Sequence, residues 1–68
     1  MREVSIGDDM IRLGQFLKLA DVVEAGSAVK EVLASGTVRV NGEVETRRGR
    51  QLRPGDEVTL PGEQLRVG

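Results

Sequence analysis

Apolar positions along this chain switch between a spacing of two and a spacing near 3.6, and the switches mark its elements. Val4 and Ile6 alternate with Glu3 and Ser5, which predicts a short strand over residues 2–6. Gly7-Asp8-Asp9 ends it. Asp8 or Asp9 is expected to cap the following helix, because a carboxylate there accepts an amide hydrogen that has no partner within the helix. Leu13, Phe16, Leu17 and Ala20 then fall at i, i+3, i+4 and i+7, the buried stripe of a helix over residues 10–20. Gly14 inside that helix costs about 1 kcal/mol relative to alanine. Val22, Val23 and Ala25 form an apolar connection. Ser27 is expected to cap a second helix over residues 27–35, with Val29, Val32 and Leu33 facing inward and Gly36 as its left-handed stop. Two short helices this close together suggest a helix-turn-helix-like corner.

After Gly36 the spacing returns to two. Val38 and Val40 alternate with Thr37 and Arg39, and Asn41-Gly42 is a strong hairpin signal. A strict two-residue turn would pair Arg39 with Val44 and leave Val38 and Val40 facing Glu43 and Glu45. A bulge or three-residue loop would put Val40 and Val44 on one side instead, and that arrangement is the expected one. Residues 46–49 read as a loop and Arg53-Pro54-Gly55-Asp56 as a turn. Val58 and Leu60 alternate as a strand, Pro61-Gly62 turns again, and Leu65 and Val67 complete a terminal hairpin. The pattern predicts an α+β fold: two short helices on a small, mostly antiparallel sheet.

Sixty-eight residues allow one domain, 1–68, with a small core and little room for a deep cleft. Cysteine and histidine are absent, which removes disulfides, thiolate metal sites, the cysteine nucleophile and the commonest general base. No metal or other cofactor is expected. No apolar run reaches membrane-spanning length, and the first residues lack the apolar core of a signal peptide, so a cytoplasmic, monomeric protein is expected. The adjacent acids Asp8-Asp9 and Asp56-Glu57 sit where caps and turns use acids, and no phosphate-cradling Gly-x-x-x-x-Gly-Lys motif is present. A non-catalytic role follows.

The net charge of −1 hides an uneven distribution. Residues 37–53 carry five arginines against Glu43 and Glu45, whereas residues 1–31 carry more acids than bases. Arg47, Arg48 and Arg50 suit phosphate because a guanidinium donates two parallel hydrogen bonds. Lys30, near the start of the second helix, opposes the helix dipole but stands beside free amides that favour an anion. Phe16, the one aromatic residue, belongs to the core stripe, so base stacking is not the expected mode of contact.

Four segments carry a family resemblance: Phe16 to Ala20, Gly26 to Lys30, the run from Gly36 through Asn41-Gly42 to Arg50, and Leu52-Arg53-Pro54-Gly55-Asp56-Glu57-Val58. Together they resemble the S-four RNA-binding domain, or alpha-L motif, in a small stand-alone bacterial form. The resemblance implies contact with structured RNA, ribosomal or transfer RNA, along the second helix, the hairpin and the basic loop. A ribosomal subunit is an implied partner, in ribosome assembly or translation. Lys30, Arg47, Arg48 and Arg50 match basic positions of that family, with Lys18 and Ser27 beside them. Gly14 stands where the family commonly has an acid, Ser27 where it commonly has glycine and Val29 where it commonly has alanine. The alternative is a protein-interaction module that docks on a ribosomal or other protein through its hairpin or sheet edge.

Overall fold

The computed structural model describes all 68 residues. Glycines and prolines interrupt the alternating stretches early, so the strands are short. They are β1 (Arg2–Val4), β2 (Ile11–Arg12), β3 (Arg39–Val40), β4 (Glu43–Val44), β5 (Gln51–Leu52), β6 (Glu57–Leu60) and β7 (Glu63–Val67). The helices are α1 (Leu13–Leu19) and α2 (Gly26–Ala34). Five strands form one sheet in the order β1-β7-β6-β3-β4, while β2 and β5 pair separately. Only β1 and β7 run parallel. The fold is the α+β arrangement that the hydrophobic pattern predicts. No helix is long and apolar enough to cross a membrane.

The core lies between the helix pair and the five-stranded sheet. Leu13, Phe16 and Leu17 from α1 meet Val29 and Leu33 from α2 and Val40, Val58, Leu65 and Val67 from the sheet. Phe16 is fully buried, as the helical stripe requires. Gly36 stops α2 with φ of 75°, also as expected.

Both predicted caps are corrected. Asp8 does not reach α1, and its Oδ1 accepts the Asp9 amide at 2.8 Å instead. Ile11 and Arg12 pair with Leu52 and Gln51, which shortens the helix and starts it at Leu13. Its first amides donate to loop carbonyls, Leu13 to Arg50 at 2.8 Å and Gly14 to Arg48 at 2.9 Å. Ser27 does not cap α2. Ala25 holds that position, and the Ala28 and Val29 amides donate to its carbonyl. Ser27 is already inside the helix, two residues past the cap position.

The hairpin is also corrected. It turns through two residues, with Arg39 opposite Val44 and Val40 opposite Glu43. Asn41 and Gly42 have φ of 51° and 86°, the pair of positive values that matches the twist of the flanking strands. Asn41 is tied to the start of β6: its amide donates to the Glu57 carbonyl at 2.8 Å, its Oδ1 accepts the Glu57 amide at 2.9 Å, and its Nδ2 donates to Asp56 Oδ1 at 3.2 Å. A bulge would pull Asn41 off these partners. The cost is a reversed pattern beyond the turn. Val44 is half exposed, and Glu45 turns inward with 7% of its surface accessible.

Candidate nucleic-acid interface

The loop between β4 and β5 is fastened to the start of α1 by the carbonyls of Arg48 and Arg50 and by the β2–β5 pairing. This contact depends on Gly14. A Cβ there would lie 3.3 Å from Val29 Cγ1 and 3.4 Å from both the Cβ and the carbonyl oxygen of Arg48. The glycine that looked merely costly for a helix is where α1, α2 and the arginine loop come together.

Arg48 is the arginine carried to this junction. Its Nη2 lies 3.9 Å from the point a Cβ on Gly26 would occupy, at the first residue of α2. Arg12 Nη1 lies 3.8 Å from the equivalent point on Gly49. Between them is a recess of about 320 Å³ lined by Arg12, Gly14, Gln15, Lys18, Arg48 and Gly49. It holds three cations and no carboxylate, and none of the three is ion-paired.

Arg47 and Arg50 are placed differently. Both converge on Glu45, the one charged residue that the fold buries. Arg47 donates from Nε to Oε2 at 3.1 Å and from Nη2 to Oε1 at 3.2 Å, a two-point fork. Arg50 Nη1 donates to Oε1 at 3.1 Å. The Thr46 and Arg47 amides both donate to Oε2 at 3.1 Å. The Arg47 side chain nevertheless stays 76% exposed. Lys30 and Ser27 lie exposed on α2 and do not line the recess. Lys30 is the fifth residue of the helix rather than part of its first turn, one turn beyond Gly26 on the same face.

Besides the glycines, two residues that line the recess, Arg12 and Gln15, are not among the site residues expected from sequence. Gln15 has a signal in the sequence, because its spacing from Lys18 puts both opposite the stripe of Leu13, Phe16 and Leu17, whereas Arg12 is brought in by the pairing of β2 with β5. Glu45 was legible only as a charge that dilutes the arginines, because its burial depends on the hairpin register.

The Arg47 side chain and amide, followed by Arg50, hold the Glu45 carboxyl at a pKa of about 2, against an ordinary 4.5, and burial opposes them only in part. A carboxylate with a lowered folded pKa adds stability above its unfolded value, and this is lost as pH falls toward the folded one. Allowing for screening around the exposed Arg47, the contribution is about 2 kcal/mol. Acid titration followed by circular dichroism is expected to show wild-type stability falling between pH 4.5 and 2. Glu45→Gln, already weaker at neutral pH, should lack this part of the fall; an unchanged acid profile would remove the carboxylate from that role.

Fold and recess together define a small α+β domain in which an arginine loop and two helix starts form a cationic junction. The chain belongs to the S4 domain family, whose model matches residues 4–68. It is 51% identical over 59 residues to a protein of Bacillus subtilis (strain 168) named probable ribosome maturation protein RlbA, covering 87% of this chain and 83% of that one. It is 35% identical over 57 residues to the putative RNA-binding protein YbcJ of Escherichia coli (strain K12), covering 84% of this chain and 81% of that one.

Proposed function

We propose that this chain is a single non-catalytic RNA-binding domain that contacts structured RNA through phosphates and serves ribosome maturation in the cytoplasm. The observation that carries the reading is the recess formed by Arg12, Lys18 and Arg48, three cations without an acid among them. Family membership and the names of the two relatives support the same reading. Arg48 is central, because it reaches from the loop to the start of α2. Lys18 lies on the α1 side of the recess, while Ser27 and Lys30 extend the surface along α2. Arg47 and Arg50 border it from the Glu45 cluster. Ribosomal RNA is the preferred target and transfer RNA the second.

Fluorescence titration of a ribosomal RNA stem-loop and of transfer RNA across a salt series tests this. About three neutralised phosphates give a slope of log affinity against log salt of roughly −2 to −3. Affinity that is independent of salt would sink the phosphate reading. Tighter binding of transfer RNA would reverse the order of targets.

One observation favours a protein partner as a second reading. Val22, Val32, Leu60 and Pro61 line an apolar recess of about 410 Å³ with Glu31 and Glu63 at its side. It lies at α2 and the β6–β7 turn rather than at the β3–β4 hairpin. Partners recovered from cell extract after complete ribonuclease digestion would support this reading.

A further inference from the structure

Glu45 stands among the arginines of an interface argued to attract phosphate, where its charge works against that attraction. Its environment explains what it does there. One carboxylate receives five hydrogen bonds from three residues of the loop: the Thr46 amide, the amide and side chain of Arg47, and the side chain of Arg50. It reaches that place because the Asn41-Gly42 turn fixes the register and brings position 45 to the inner face opposite Val38, whose carbonyl accepts the Glu45 amide at 3.0 Å.

We propose that Glu45 is a positioning residue for RNA binding: its buried carboxylate holds Arg47 and Arg50 in one arrangement before RNA arrives. The proposal rests on the RNA-binding reading above. A guanidinium has five N–H donors, and Glu45 takes only two from Arg47. The other donors remain for a phosphate, on a side chain that no longer has to be ordered at binding. The same loop presents its Arg48 and Arg50 carbonyls to α1, so its order also sets where Arg48 enters the recess. A loop acting through net charge alone would bind RNA better without Glu45. A loop acting through fixed forks binds worse.

These alternatives are separated by two variants with the same change of charge. Glu43→Gln alters an exposed glutamate of the same hairpin that has no ion pair. Glu45→Gln alters the buried one. Affinity for a short fluorescein-labelled RNA stem-loop is measured at one salt concentration, on samples shown to be folded by circular dichroism. Glu43→Gln is expected to bind as tightly as wild type or slightly tighter. Glu45→Gln is expected to bind about tenfold more weakly, since two long side chains must then be ordered at binding. If Glu45→Gln does not fold, Arg47→Lys asks the same question at an exposed position. It keeps the charge but loses the fork, and a severalfold loss of affinity is expected.

Arginine Nε–H resonances give a reading independent of RNA. The Arg47 signal should be resolved and protected in wild type and should lose that protection in Glu45→Gln. Equal or tighter binding by Glu45→Gln, or by Arg47→Lys in its place, overturns the positioning role while leaving the RNA reading intact. Failure of the wild-type protein to bind RNA removes that reading and this role with it. An Arg47 Nε–H as exchangeable in wild type as in Glu45→Gln overturns the fixed arrangement whatever the affinities.

Discussion

Replacing Arg12, Lys18 and Arg48 together by glutamine is expected to lower affinity for structured RNA about a hundredfold at low salt and to reduce its salt dependence, leaving the shallower slope that Arg47 and Arg50 supply. All three side chains are exposed and none is ion-paired, so their loss leaves the core and the Glu45 cluster intact. Stability should stay within about 1 kcal/mol of wild type, as for surface changes away from caps and buried networks. The gap between variant and wild type should close as salt rises, because what is lost is mainly the release of counterions from phosphates. Fluorescence titration at several salt concentrations, alongside thermal unfolding, reads both effects. An unchanged affinity would remove the recess from the interface. The sequence-derived trio Arg47, Arg48 and Arg50 would give a mixed result. Losing Arg47 and Arg50 strips both charged partners from a buried carboxylate, so reduced binding would come with a loss of stability.

Phe16→Ala is expected to leave the chain largely unfolded. The side chain is fully buried at the centre of a fourteen-residue core. Truncating a buried phenylalanine costs about 3–5 kcal/mol, which approaches the whole stability of a domain this small. Thermal unfolding should show a low or absent midpoint, and RNA binding should vanish with the fold. Phe16→Leu separates a core role from a base-stacking role. It keeps most of the buried apolar volume and should bind RNA like wild type, whereas a stacking platform would lose affinity without losing its fold. Leu13 and Leu17 flank Phe16 on the inner face, while Gln15 and Lys18 occupy the outer one. Loss of the core would therefore remove the support that aims the recess residues.

The periodic segments were the most legible part of the chain. The stripe through Leu13, Phe16 and Leu17, the inner face of α2 and the terminal hairpin all follow from spacing alone, because each buries one face. Caps were less legible. An aspartate or serine near a helix start is a sound local reading, yet α1 is capped by the Arg48 and Arg50 carbonyls, 34 or more positions away in sequence. The register of the β3–β4 hairpin also escaped. Local pattern favours placing Val44 inside, but the ties from Asn41 to Asp56 and Glu57 hold the two-residue turn and bring Glu45 inside instead.

By itself, the sequence determined the α+β class, the two helices, the turn at Asn41-Gly42 and a basic loop after it, because these depend on spacing, backbone preference and charge within short stretches. Only the tertiary structure decided which cations lie together. Arg48 joins Arg12 and Lys18 because Gly14 lets the loop approach α1 closely. Arg47 and Arg50 join Glu45 because the hairpin register turns that carboxylate inward. Three arginines that read as one cluster along the chain are thus divided between two sites, since each is placed by contacts with a different distant segment.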